Sequence, residues 1–472
     1  MSRSKLWLYF CILSMLLVLF AGCGNTSDDK QTTPSTTSSE SQPATTEPET
    51  TTEESFDFDG YEFTITNGGA FPRKGEDGKF ASATDEEWNE LYLELENKYN
   101  IKIVHVPLSG DKLEILTSYG MAGDKAADLF FCRQPEYWSA GKSNHVLPVS
   151  EGILMDLGLN PFDETRWYQP AVEATKCFDK YWGVQVASKF IAVPSGYFIT
   201  FNKNLAAEAG YDDLYAMVRN KTWTYDVYMD IAIKTTKDTD GDGQIDVWGT
   251  GATAWGNEIL TNGVDYVGQD ENGRWTLTAD SKAGLEALQF LYDMNYGSNT
   301  RWNESSGVVR QGFADGKVTF NYATMGNING PGQVIYNSNH DYGILPIPLG
   351  PSGTEYVAGH ANNDVYVIQA SNKDLDKVVP IMNAWALIVN DTESYLEMLD
   401  DGRCRTAEDK EMMVEYIIPK FGLCNRKINN AIDDLLADEF IASFSYGGFT
   451  PSQSIETYRD RIQSELDAFF ND

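Results

Sequence analysis

Basic residues are scarce in this chain. Lys and Arg number 36 against 70 Asp and Glu, and the formal net charge is −34. Such a chain has no cationic excess with which to replace the counterions of a nucleic-acid backbone, which argues against DNA and RNA as partners. Histidine is scarcer still. The four residues, His105, His145, His340 and His360, are too far apart to make a zinc pattern. Of six cysteines, Cys11 and Cys23 lie in the first segment. Cys132, Cys177, Cys404 and Cys424 show neither CxxC nor ligand spacing. Isolated, mostly buried thiols are expected, with a Cys404–Cys424 pair left open, because a chain of this size does not need staples. GxSxG, HExxH and P-loop motifs are absent, and no fixed-period repeat occurs.

What is present is a large apolar and aromatic stock. Hydrophobic residues make up 42% and aromatic residues 12% of 472 positions, enough for two domains with full cores. Residues 1–22 read as a lipoprotein signal peptide. Arg3 and Lys5 form the positive start, an apolar run covers 6–20, and Leu19-Phe20-Ala21-Gly22-Cys23 resembles a lipobox with Cys23 as the lipidated residue. Residues 23–55 then collapse to Thr, Ser, Pro, Glu and Asp, a composition that cannot form a core and suits a disordered tether. A diacylated Cys supplies two chains, enough for stable attachment to a membrane.

From residue 61 the pattern alternates strand and helix. Strands are expected at 61–66, 101–106 and 128–131. A helix capped by Asp85 carries Trp88, Leu91, Leu95 and Tyr99, and a second covers 113–121. That order predicts a parallel α/β arrangement with ligands beyond the carboxyl ends of the strands, near Asn67 and near Arg133 and Gln134. Further strands are expected at 197–203, 317–322, 342–348 and 364–368. Helices are expected at 281–292 and over most of the chain beyond Lys377.

The segment 238–249 crowds acids into a turn. Taken as a calcium loop starting at Asp238, it offers Asp238, Asp240, Asp242, Gln244 and Asp246 at positions 1, 3, 5, 7 and 9, with Gly243 at position 6. Position 12 is Gly249 and not the bidentate Glu that tight sites use. Two readings stand: a structural calcium site completed by a distant carboxylate, or a tight charged connection between helix and strand. No cofactor is required.

Several marks in order resemble the extracellular solute-binding proteins of carbohydrate-type ABC importers, the maltose-binding-protein-like family. Tyr181-Trp182-Gly183 stands ahead of Phe201-Asn202-Lys203-Asn204-Leu205. Thr222-Trp223-Thr224-Tyr225-Asp226 resembles the family's TW-D helix start, and Phe313-Ala314-Asp315-Gly316-Lys317-Val318 its F--GK element. Gly343-Ile344-Leu345-Pro346-Ile347-Pro348 and Ser371-Asn372-Lys373 follow in their usual places. The resemblance covers nearly all of residues 56–472. It implies an α/β, two-lobed periplasmic-binding-protein-like fold (type II), each lobe a central sheet flanked by helices. Lobe 1 would hold 56–194 and 348–395, and lobe 2 195–347 and 396–472, with crossings near Pro194 and at 346–350. It also implies a monomeric, non-enzymatic lipoprotein on the outer face of the cell membrane. Such a protein captures a solute, most simply a mono- or oligosaccharide, and passes it to ABC importer permease subunits.

Sugars present hydroxyl rims and apolar C–H faces, so a site needs aromatic planes and polar forks. The aromatic candidates are Trp138, Trp255, Trp302, Tyr322 and Tyr446. The polar candidates are Asn67, Arg133, Gln134, Tyr197, Asn257, Asn327, Asn362 and Asn363. The chain departs from the maltose-binding pattern at Cys132-Arg133-Gln134, where Arg133 suits a charged or peptide-like ligand. Two other classes remain: a lipid-anchored glycoside-active enzyme, for which none of the many carboxylate pairs has a specifying context, and a calcium-binding adhesion or sensing lipoprotein.

Overall fold

A computed structural model describes residues 57–66, 71–75, 77–191 and 195–470. The leader, Cys23, the tether, Asn67 and Pro194 lie outside the described residues. The strands, in chain order, are β1 (Tyr61–Thr66), β2 (Ile101–Val106), β3 (Phe130–Cys132), β4 (Phe198–Asn202), β5 (Trp248–Thr250), β6 (Val267–Gln269), β7 (Trp275–Leu277), β8 (Val318–Ala323), β9 (Tyr342–Leu345), β10 (Ala358–His360), β11 (Val365–Val367) and β12 (Phe421–Leu423).

In the first lobe β1 and β2 pair in parallel, with Tyr61 opposite Ile101 and Thr66 opposite Val106. The helix Ala83–Tyr99 makes the crossover between them and buries Trp88, Tyr92 and Leu95. Its cap is Ser82, whose hydroxyl accepts the Asp85 N–H at 3.1 Å. Asp85, expected as the cap, sits one turn in. Its carboxylate accepts from the Ser82 hydroxyl at 2.6 Å and from the Arg73 N–H at 3.0 Å. The cap position thus falls to the residue with extended backbone, as N-caps require. Ile65 bridges Leu129 in parallel, which brings β3 alongside β1. β11 then closes on β3 in antiparallel sense, Val365 opposite Cys132. Behind this sheet Phe63, Ile65, Trp88, Val378, Met382 and Trp385 form one core.

The second lobe is built on a mixed sheet in the order β5-β8-β4-β9. β4 and β8 are buried at every residue, because helices and loops cover both faces. Tyr228, on the helix Tyr225–Thr235, stacks on Phe320 of β8 with ring centroids 4.5 Å apart. The helix Lys282–Tyr292, expected over 281–292 and capped by Ser281, packs Phe290 face to face on Tyr225 at 3.9 Å.

Three segments meet where the chain passes between lobes. The Tyr197 N–H, just ahead of β4, donates to the Gly359 carbonyl of β10 at 3.0 Å. β10 pairs in parallel with β12, and the Cys424 N–H donates to the His360 carbonyl at 2.8 Å. Gly196 has φ +70°, and a Cβ there would fall on the Ala358 carbonyl oxygen, so only glycine fits this seam. The crossing expected at 346–350 lies further on. The Tyr225 N–H donates to the Leu349 carbonyl at 2.9 Å, the Leu349 N–H to the Trp223 carbonyl at 3.0 Å and the Gly350 N–H to the Thr261 carbonyl at 3.2 Å, so this stretch still packs on the second lobe. The next strand to join the first sheet is β11. Prolines mark extended backbone, but here that backbone runs along the lobe edge before it crosses.

The last helix, Pro451–Phe470, ends against both lobes. Phe470 stacks on Trp275 at 4.3 Å and lies beside Phe178 at 5.6 Å, while the Lys142 ammonium donates to the Phe469 carbonyl at 2.6 Å. A cation at a helix C-terminus complements its unpaired carbonyls. The four cysteines, Cys132, Cys177, Cys404 and Cys424, are free thiols. Among the described residues no helix is long and apolar enough to cross a membrane.

Candidate functional site

Three cavities adjoin along the seam. The largest of these three, of about 680 Å³, lies between Trp88, Phe131 and Phe190 on one side and Met325, Asn329 and Arg403 on the other. His360 and Asn362 belong to its wall and also to the wall of a second cavity of about 300 Å³. Trp255, Arg426 and Asp438 in turn are shared between the second cavity and a third of about 160 Å³. The result is one cleft, floored by the crossing segments and open along its length, within the size range of small-molecule sites.

Cations in the largest cavity are already partnered. Arg73 pairs with Asp85 at 3.5 Å, and Lys189 with Glu87 at 2.6 Å. Arg403 pairs with Asp401 and donates from Nε to the Asn329 amide oxygen at 3.0 Å. A wall of neutralised pairs presents dipoles more than net charge. The acceptors are less satisfied. Asn362 Oδ1 and Asp364 Oδ1 are enclosed and have no protein partner. Burial also raises the Asp364 carboxyl above the usual carboxylate range.

His360 sits at the junction. Its Nδ1 lies 2.9 Å from the Asn362 N–H nitrogen and 3.0 Å from the Asn362 carbonyl oxygen, so the ring is tied to that turn. Burial holds its pKa down to about 4, so the ring is neutral at ordinary pH. Tyr197 stacks on it. Arg426 is 8% exposed. It donates from Nη1 to Asp433 at 3.1 Å and keeps Nε without a partner. Asn257 Oδ1 is likewise buried and unpartnered.

Trp255 is an exposed ring of this cleft. It is 55% exposed and holds φ +56°, a left-handed backbone that a large side chain adopts only when its surroundings impose it. The surroundings are visible. Gly256 follows at φ +84°, the Tyr266 hydroxyl donates to the Gly256 carbonyl at 3.0 Å, and the Glu258 carboxylate accepts the Ala254 N–H at 2.9 Å. Glu258 is fully buried, which raises its pKa to about 7.

Of the residues singled out from the sequence, Tyr197, Trp255, Asn257, Asn362 and Tyr446 come together in these cavities. Others go elsewhere. Trp138 is buried in the helix Gln134–Lys142 and donates to the Thr175 carbonyl at 3.1 Å. Tyr322 lies within the doubly covered β8, Trp302 packs over Gly312, and Asn363 is buried against the Ala171 carbonyl at 2.8 Å. Arg133 pairs with Glu136 at 2.8 Å, and Gln134 is buried with its amide unpartnered. Asn327 caps the turn after β8 by accepting the Thr324 N–H at 2.9 Å, next to the cavity wall at Met325. The residues missed are Arg73, Trp88, Phe131, His360, Asp364, Arg403 and Arg426. Trp88 and Phe131 carry the signature of core positions, and nothing in the local sequence separates a core ring from one at a cavity wall.

The acidic loop stands apart from the cleft. Oxygens of Asp238, Asp240 and Asp246 lie within 4.8 Å of one another, a grouping that could hold a cation. Asp242 is not part of that grouping. The loop also closes on itself. Asp238 accepts the Gly241 and Gly243 N–H groups at 2.7 and 2.8 Å, and Asp246 accepts the Thr239 N–H and hydroxyl at 2.8 and 2.6 Å.

No protein-family model matches the chain, and no curated protein is similar in sequence. Solved structures are similar in fold. A Mycobacterium tuberculosis protein, UgpB, in complex with glycerophosphocholine aligns with a TM-score of 0.61 at 15% identity, over 86% of this chain and 99% of that one. The cyclic α-maltosyl-1,6-maltose binding protein of Arthrobacter globiformis aligns at 0.59 and 14%, over 87% and 100%. An ABC substrate-binding protein of Listeria monocytogenes in complex with cycloalternan, Lmo0181, aligns at 0.57 and 15%, over 86% and 99%. The fold is therefore the two-lobed, type II periplasmic-binding-protein-like one, as the motif order implies.

Proposed function

We propose that this protein is a binding protein that captures an extracellular carbohydrate in the cleft between its lobes and delivers it to an ABC importer. One observation carries the reading. A single cleft combines the open ring face of Trp255 with enclosed, unpartnered polar atoms at Asn257, Asn362, Asp364 and Arg426. Ring faces match sugar C–H surfaces, and unpartnered acceptors and donors match hydroxyl rims. A buried polar atom without a partner costs about 1–3 kcal/mol, so these atoms favour a ligand that supplies hydrogen bonds. Proteins of similar fold point the same way, since two of the three just described bind carbohydrates and the third a glycerophosphodiester. A capture role needs no catalytic group. Of the carboxylates on the wall of the main cavity, Asp85 and Asp401 are engaged with arginines, while Asp364 keeps Oδ1 without a partner.

The lipidation of Cys23 completes the reading, since it would hold the protein at the outer face of the membrane, beside permease subunits. Replacement Cys23→Ser should release the protein from the membrane fraction.

The test is a thermal-shift screen of the purified protein against mono- and oligosaccharides, with short peptides and glycerophosphodiesters alongside. A ligand at a hundred times its Kd stabilises by about 2.7 kcal/mol, a shift of several degrees. Stabilisation by a sugar without turnover supports capture. Stabilisation only by peptides or phosphodiesters, or by nothing, sinks the carbohydrate reading.

A further inference from the structure

We propose that the ligand is an oligosaccharide chain longer than the main cavity, and that its far end leaves the cleft over an aromatic row formed by Trp255, Tyr446 and Tyr296. The inference rests on the carbohydrate reading above and goes beyond it to chain length and exit path.

The row is continuous with the cleft. Trp255 lines both the middle and the smallest cavity, and Tyr446 lines the smallest. Asn295 lines that cavity too, next in sequence to Tyr296. The Tyr296 hydroxyl stands beside Gly448, two residues after Tyr446, where an added Cβ would come within 3.1 Å of it. The three rings are 55%, 46% and 52% exposed, respectively. Single exposed aromatics are ordinary on a protein surface, but three on one surface leading out of a binding cleft are not.

Each ring is also held. The Arg301 guanidinium lies over the Tyr446 ring at 5.0 Å, and Tyr292 packs against Tyr296 with centroids 5.5 Å apart. At Trp255 the bonds to Gly256 and Ala254 fix the backbone from which the ring projects. Rings held in place while open to solvent cost little ordering entropy when a ligand lands on them. Polar atoms accompany them. Asn295 Oδ1 and two nitrogens of Arg301 are enclosed without partners, and Arg426 Nε is the same between the two smaller cavities. Flat apolar faces with hydrogen-bonding atoms between them match a chain of pyranose rings, whose C–H faces and hydroxyl edges alternate. A lone monosaccharide would occupy the cleft and leave this surface unused.

The experiment is calorimetric titration with malto-, cello-, xylo- and manno-oligosaccharide ladders running from disaccharide to heptasaccharide. In the ladder that binds, Kd should fall with length by about two- to tenfold for each ring engaged. Tyr296→Ala should remove the gain of the longest members and leave the shortest unchanged. Tyr296→Phe, which keeps the ring, should retain the gain. A Kd independent of length, or a Tyr296→Ala effect equal on short and long members, overturns the row while leaving capture of a sugar intact. Absence of binding by every ladder overturns the row, and absence of binding by monosaccharides as well overturns both readings.

Discussion

The ring of Tyr197 lies on the imidazole of His360, with centroids 5.1 Å apart and planes 19° from parallel. The two belong to neighbouring crossing segments, already joined by the bond from the Tyr197 N–H to the Gly359 carbonyl. Both rings also line the middle cavity. The stack therefore ties the join between lobes to the floor of the site. Tyr197→Phe should change unfolding free energy by less than about 0.5 kcal/mol. Tyr197→Ala should cost about 2–4 kcal/mol, read by urea denaturation.

Trp255 sets local stability against binding. Its left-handed backbone is one that glycine adopts freely and tryptophan does not. Trp255→Gly should leave the melting temperature unchanged or raise it by a degree or two, since relief of strain is worth about 1 kcal/mol. The same change should weaken sugar binding about tenfold or more, measured by titration calorimetry.

Glu258 should make stability depend on pH. Its carboxyl is neutral more readily in the fold, where its pKa is about 7, than in the unfolded chain, where it is ordinary. Between these values the unfolded state releases the proton first, so stability falls as pH rises from about 4.5 to 7 and then levels. The full effect is on the order of 3 kcal/mol. His105 and His360, both held near 4 by burial, act oppositely, losing stability as pH falls below about 6.5. The difference between wild type and Glu258→Gln, followed by urea denaturation across this range, isolates the carboxyl. A difference that does not change with pH would remove Glu258 as the source.

In the acidic loop, Asp238 accepts two backbone N–H groups. Asp238→Ala should cost about 1 kcal/mol in the presence of a chelator, where no cation contributes. A loss seen only with calcium present would mean that the ion, and not the turn, holds the loop.

Much of the frame was legible. The alternation at 61–66 and 101–106, the helix over Trp88 and Leu95, and the Ser281 start all carry their cause in local sequence. Trp255 was legible as an exposed residue of the cleft because small and polar neighbours give it nothing apolar to pack on. Trp138 was misplaced because a helix begins directly after β3, at Gln134, and turns it inward. Tyr322 follows a strand covered on both faces, which its own sequence does not announce. Arg73, Asp364 and Arg403 meet around one cavity from distant parts of the chain. No local pattern encodes that meeting, because it depends on how the first sheet, the crossing segments and the stretch after the Leu375–Val389 helix come together.

Gly196 gives the seam a mechanical character. With the Ala358 carbonyl oxygen where a side chain would begin, backbone lies directly on backbone, and no rotamer can yield between the segments. The Tyr197–Gly359 bond and the Tyr197–His360 stack then fasten the same two segments on either side of that contact. Gly196→Ala, by prying the segments apart, should cost about 2 kcal/mol or more and loosen both.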